Sequence, residues 1–258
     1  MDIVVPVKLV PDLVEELTID ASGAALDTMW LRLIINEFDD HAIEQAILIK
    51  ERVGGKVIIV SPDAEGVDDL LFTASAKGAD QLIKLNGNFE GGVNNHALGR
   101  ALAALFKELK PDLVLTGVQA HNDLDGSLGP ILAEYLGMPY IGYVSGVNIE
   151  AGKASVRKEY PGGLIAEMDV SLPAVLGVQA AEKPPRYVAI SKVRQAMKTA
   201  SIDDHLVDAL ESEGGAEISR MFQPEAASQA IMIEGDADEV ATRLIDVFKE
   251  LGVLESGG

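Results

Sequence analysis

Four short runs in the first half of the chain, IVVPVKLV (3–10), KVIIVS (56–61), QLIKL (81–85) and DLVLTG (112–117), are apolar almost throughout rather than alternating. Strands with this pattern are covered on both faces, as in a parallel sheet. Between them apolar residues recur at spacings of three and four: Ile43, Ala46, Ile47 and Val53, then Val67, Leu70, Leu71 and Ala74, then Leu98, Ala101, Leu102 and Leu105. Each set falls on one face of a helix. Strand and helix alternate, which predicts an open, doubly wound α/β sheet with its ligand crevice beyond the carboxyl ends of the strands.

The second half has a different rhythm. YIGYVSGVNIE, KASVRKEY, LIAEMDVSL and AVLGVQA, from residue 140 on, lose the helical period and predict strands that extend the sheet, with turns at Gly152 and Gly162–Gly163. An insertion at 17–30 predicts a hairpin turning near Ala21, Ser22 and Gly23, between the first strand and the first helix. Pro184 and Pro185 forbid a helix over EKPPRY (182–187), and the α/β core is expected to end there, at residue 187. Residues 188–258 then form an arm of little apolar mass, ending in an amphipathic helix (Val240, Leu244, Val247, Leu251) capped by Asp236.

Composition narrows the chemistry. The chain has 258 residues, no cysteine, 41 acidic and 21 basic side chains, and a formal charge of −20. Without cysteine there is no disulfide framework, thiolate zinc site, iron–sulfur cluster or cysteine nucleophile, and a cytoplasmic location is the expectation. The acidic balance opposes phosphate backbones and anionic bilayers, so neither nucleic acid nor a membrane is an expected partner. MDIVVPVKLVPD carries Asp2 at once, lacks a basic flank and reads as a buried strand rather than a signal peptide. His41, His96, His121 and His205 are widely spaced, and no metal site is expected. There is no GxSxG elbow, GxxxxGK[ST] phosphate loop or GxGxxG turn, so no catalytic residue is assigned.

Two segments carry the remaining signal. TGVQAHNDLDGSLGPILAEYLGMP (116–139) leaves a buried strand through Gly117, crosses a polar loop and starts a helix near Gly126, Ser127 and Pro130. Glycines and the free N–H groups of a helix start suit a phosphate, whereas Asp123 and Asp125 would repel one, and such a turn also serves as a bare connection. In LIINEFDDHAIEQAILIKE (33–51), Asn36 precedes a helix with Asp39 and Asp40 in its first turn, which capping and dipole complementarity account for. Phe38 is either a staple into the core or a contact for a ligand or partner.

Taken together, VPVKLVPD, INEFDDHAIEQAILIKE, the Ser61–Pro62 edge, KGADQLIKL, LTGVQAHNDLDGSLGPILAEYLGMP, KEYPGGL and LPAVLGVQAAEKPPRYVAISKVRQAMK resemble, in order and spacing over residues 1–200, the beta subunit of electron-transfer flavoproteins. The resemblance implies a Rossmann-like, adenine nucleotide alpha-hydrolase-like fold with an extended C-terminal arm on an alpha subunit. It implies a carrier rather than an enzyme: the alpha subunit holds most of the redox FAD, and the pair takes electrons from a dehydrogenase of the acyl-CoA type to a membrane quinone oxidoreductase or another acceptor.

The same resemblance puts a structural AMP against Pro6, Asn36, Glu37, Phe38, Asp39, Ser61, Pro62 and the loop Gly117–Leu128, including Gln119, Asp125, Gly126 and Ser127. It places Phe38 and Glu159 near the flavin of the alpha subunit, and Arg186, Tyr187 and Ile190 on the segment that docks on the dehydrogenase. The chain departs from the family where QAIDxDxxxxGP is usual and Gln119–Ala120–His121–Asn122–Asp123–Leu124–Asp125 stands instead, and where the basic tail shrinks to Lys192, Arg194 and Lys198 with Ser191 in place of proline. Two alternatives remain: a flavin-bifurcating relative with a second FAD in place of AMP, and an ATP-binding α/β module, which would need an SGGxDS-like loop where VKLVPD stands.

Overall fold

The four apolar runs supply adjacent strands of one sheet, in a computed structural model that describes residues 1–87, 89, 94–207, 214–224 and 232–254. The elements that position the crevice are β1 (Asp2–Pro6), β4 (Lys56–Pro62), β5 (Gln81–Asn86), β6 (Leu113–Gly117) and β10 (Ala174–Val178). They pair in parallel in the order β5-β4-β1-β6-β10. Ile3 and Val5 of β1 face one apolar layer and Val4 the other, so each layer of helices takes alternate residues of the same strand. One layer holds α1 (Glu37–Val53) and α2 (Val67–Lys77); the opposite layer holds α3 (Asn95–Leu109) and α4 (Leu128–Leu136). The fold is therefore the doubly wound, mostly parallel α/β arrangement, and it is the double cover that makes the strands apolar throughout.

The first run does not continue as a single strand. β1 stops at Pro6, and Leu9–Pro11 (β2) pairs antiparallel with Leu33–Ile35 (β3) in a separate ribbon. The reason is local: the backbone N–H of Lys8 donates to Asp39 Oδ2 at 3.0 Å instead of joining the ladder. The hairpin expected at 17–30 reduces to one bridge, Ile19 to Leu26, around a turn at Asp20–Gly23.

Beyond β10 the sheet continues through β7 (Tyr140–Glu150), β8 (Lys153–Tyr160) and β9 (Leu164–Ser171), antiparallel to one another, as the loss of helical period predicts. On the opposite edge β11 (Ile202–Leu206) pairs in parallel with β5, and α5 (Ile190–Thr199), which precedes it, packs on α2. The structure divides into two compact units, Met1–Met221 and Phe222–Gly258. The second unit, Phe222–Gly258, contains α6 (Ala237–Glu250), whose start is a capping box: Asp236 accepts from the N–H of Asp238 and Glu239, and Glu239 accepts from the N–H of Asp236. Residues 208–213, 225–231 and 255–258 of the expected arm lie outside the described residues. Among the described residues no helix is long and apolar enough to cross a membrane.

Candidate functional site

The order of the sheet reverses at β1: the chain moves from β1 through β4 to β5, then returns to lay β6 on the other side of β1. A switch point of this kind leaves a crevice where the helices diverge, outside the carboxyl ends of the strands. The crevice is present and narrow, with a cavity volume of about 20 Å³. Pro6 of β1, Pro62 of β4, Gly117 of β6, Asn36 at the cap of α1, Asp39 in its first turn, Gln119 and Leu128 line it. Seven residues carried over from the family resemblance thus meet in one place.

Each is held by a specific contact. Asn36 does not cap α1 through its side chain; its Nδ2 donates across the crevice to the Gln119 carbonyl at 3.0 Å. Asp39 is buried rather than solvated at the helix start. Its Oδ1 accepts from the N–H of Gly117 at 3.1 Å and its Oδ2 from the N–H of Lys8. Burial pushes its carboxyl up to about 7, against the opposing pull of the Lys8 charge and these two N–H groups. Gly117 must be glycine, because a Cβ there would lie 2.3 Å from Asp39 Oδ1 and 2.8 Å from the Asp39 nitrogen.

Other assigned residues stand back from the crevice. Ser61 is buried with its hydroxyl donating to the Pro62 carbonyl, and Glu37 is exposed. Phe38 is half-buried at the start of α1 and belongs to neither core cluster, so it does not act as a staple into the core. Asp125 accepts from the N–H of His96 at 3.4 Å. Gly126 and Ser127 lead into α4, whose N-terminus has no side-chain cap, leaving the first N–H groups of a nine-residue helix available. Gly126 has φ 97° with open space around a built Cβ, so it is the turn, not crowding, that requires glycine.

The sequence reading missed three polar or charged contributors to this region, Lys8, Thr116 and Asn95, and read Asp123 of the loop only as repelling a phosphate. Lys8, Thr116 and Asp123 line the crevice, and Asn95 supports it. Lys8 Nζ donates to Asp123 Oδ1 at 2.5 Å, with side chains only 18% and 6% exposed. Asp123 also accepts from the N–H of Ala120 and from Asn95 Nδ2, both at 2.8 Å, while Asn95 donates to the Gly126 carbonyl as well. Asp123 is thereby paired with Lys8 and held by two neutral donors. Lys8 had a visible signal as the one charge inside IVVPVKLV, and Thr116 as the one uncharged polar side chain inside DLVLTG; the contacts of Asp123 and Asn95 span 115 and 28 residues and leave no local trace.

Away from the crevice, Glu159 is exposed on β8, accepting from Ser145 Oγ at 3.2 Å. The segment 181–186 is clamped onto α1 by side chains that accept its backbone N–H groups: His41 Nδ1 from Ala181, Gln45 Oε1 from Glu182 and Glu44 Oε2 from Arg186. The Arg186 guanidinium is committed to Glu51 and Glu44, whose hydrogen bonds and charges raise its pKa further. Arg186 therefore shapes the segment from within, whereas Tyr187 and Ile190 are 87% and 67% exposed.

Fold and crevice together define a doubly wound α/β protein with a crevice at its switch point. The family model described as "Electron transfer flavoprotein domain" matches residues 29–210. The chain belongs to the electron transfer flavoprotein family. It is 31% identical to electron transfer flavoprotein subunit beta of Methylophilus methylotrophus, over 97% of this chain and 98% of that one. It is 30% identical to the subunit beta of Clostridium acetobutylicum over the same shares, and 31% identical to the caffeyl-CoA reductase-Etf complex subunit CarD of Acetobacterium woodii over 98% and 100%. Its role at the level of the family is flavin-linked electron transfer.

Proposed function

We propose that the chain is the beta subunit of a heterodimeric electron carrier, holding AMP as a structural group in its crevice while an alpha subunit holds most of the redox FAD. The observation that carries this reading is the convergence of Pro6, Asn36, Asp39, Pro62, Gly117, Gln119 and Leu128 on one crevice in a chain of this family. The donor set fits an adenine nucleotide with a single phosphate. The start of α4 offers uncapped N–H groups, and Thr116 Oγ1 is a buried hydroxyl with no hydrogen-bond partner. Lys8 is the one cation among the lining residues and faces two carboxylates, Asp39 and Asp123, an inventory that opposes a polyphosphate. This charge balance favours AMP over the diphosphate of a second FAD and over ATP.

When bound, FAD would supply the redox chemistry, and Phe38 and Glu159 are the residues of this chain proposed to approach it. Tyr187 and Ile190 would dock a donor of the acyl-CoA dehydrogenase type. The relative named as part of a caffeyl-CoA reductase complex supports a partner that acts on a CoA thioester. A membrane quinone oxidoreductase or another acceptor would receive the electrons, the chain itself remaining in the cytoplasm. The arm that includes α6 would pack on the alpha subunit, since α6 buries none of its residues. Co-expression with the alpha subunit, purification and chromatography of the released nucleotides test the reading. One FAD and one AMP per heterodimer are expected; two FAD would replace it with the bifurcating variant, and no adenine nucleotide beyond a single FAD would overturn the crevice assignment.

A further inference from the structure

Two residues of the crevice wall, Lys8 and Thr116, address the same chemistry as the start of α4 without belonging to the residues carried over from the family. Lys8 brings the wall's only cation, drawn onto Asp123 in a pair that is largely shielded from solvent. Thr116 is 1% exposed, and its Oγ1 makes no hydrogen bond. That oxygen lies 2.8 Å from the point a Cβ on Gly129 would occupy, so it sits against the first turn of α4, where the N–H groups lack a side-chain cap. A cation, a hydroxyl with a proton to donate and the positive end of a helix form a set of donors that an anionic oxygen satisfies. A buried hydroxyl left unpaired destabilises a fold, which gives its position a meaning beyond packing.

We infer that Lys8 and Thr116 bind the phosphate of the nucleotide, and that the Lys8–Asp123 ion pair is a latch on the loop 118–127 which that phosphate displaces. This inference rests on the reading of the crevice as an adenine-nucleotide site. Asp123 and the phosphate are alternative acceptors for one ammonium group. After the exchange Asp123 keeps two neutral donors, the Ala120 N–H and Asn95 Nδ2, so its carboxylate is not stranded. The ion pair ties the loop beyond β6 to the segment beyond β1. Asp39, the other carboxylate of the wall, is held by the N–H groups of Lys8 and Gly117 and takes no part in the exchange.

The test uses heterodimer stripped of adenine nucleotide and titrated with AMP by calorimetry, with melting measured in the absence of AMP. Thr116→Val keeps the shape of the side chain and removes the unpaired hydroxyl. Its melting temperature should stay level or rise, while AMP binds about tenfold more weakly through the loss of one hydrogen bond to a charged group. Asp123→Asn frees Lys8 and removes a repelling charge, so AMP should bind at least severalfold more tightly. Lys8→Met should weaken binding by tenfold or more. Wild-type affinity in both Thr116→Val and Asp123→Asn would overturn the inference and leave the nucleotide site standing. Lower melting with unchanged affinity in Thr116→Val would overturn it equally, by assigning the hydroxyl a packing role. Wild-type heterodimer that takes up no AMP would remove the nucleotide reading itself.

Discussion

At the scale of single residues the crevice is governed by Asp39 and Gly117. A methyl group at 117 would collide with a buried carboxylate and with backbone, neither of which can swing away as a flexible side-chain end would. Gly117→Ala should therefore cost roughly 2 to 4 kcal/mol, visible as a lower melting temperature, with bound adenine nucleotide lost in the same preparation. Asp39 makes a separate forecast. Its carboxyl is raised from 3.8 to about 7 in the folded chain, so the native state holds a proton that the unfolded chain releases. The stability this contributes is present in full below about 3.8 and is lost as pH rises through about 7, by at most about 4 kcal/mol. Asp39→Asn has no such proton. Melting curves between pH 4 and 8 should show the variant gaining on the wild type as pH rises; parallel curves would contradict the shift.

At the scale of elements, α1 does two tasks. At its N-terminus Asn36 and Asp39 line the crevice, and its middle, His41, Glu44 and Gln45, holds the 181–186 segment by accepting its N–H groups. Glu44 is only 2% exposed and carries most of the contact with Arg186, whereas Glu51 reaches the same guanidinium from the surface. Glu44→Gln should lower stability by roughly 1 to 3 kcal/mol, discounted from a fully buried pair because Arg186 is part-exposed and retains Glu51, while Glu51→Gln leaves melting nearly unchanged. Ile190 contrasts with both. It is the first residue of α5 and mostly in solvent, so Ile190→Ala should leave melting and the FAD spectrum as they are and weaken donor-dehydrogenase binding by roughly 1 to 3 kcal/mol. Unchanged donor kinetics in that variant would remove Ile190 from the docking surface.

At the scale of the whole molecule, apolar area is unevenly spent. The sheet and its helices bury their apolar residues thoroughly, but α6 exposes Leu244, Ile245, Val247 and Phe248, and the loop before α1 exposes Leu13, Val14, Met29 and Trp30. Surfaces of this kind mark contacts with another chain. Limited proteolysis should cut the isolated chain within 222–254 and spare that region once the alpha subunit is bound. Resistance of the isolated chain over the same residues would argue that α6 needs no partner.

Periodicity alone determined the layers: runs such as Lys56–Ser61 are apolar because both faces are covered, and Val240, Leu244, Val247 and Leu251 share a face because a helix turns every 3.6 residues. Loop chemistry was legible too, since the start of α4 follows from Gly126 and Ser127 and the cap of α6 from Asp236. What lay beyond the sequence were the contacts that close over long separations. Lys8 meets Asp123 and Glu44 meets Arg186 only once the sheet has set its order, and β11 joins the edge only because β5 is left open there. The burial that raises Asp39 and isolates the Thr116 hydroxyl likewise exists only in the folded chain, because desolvation is a property of all the neighbours at once and no local pattern of residues encodes it.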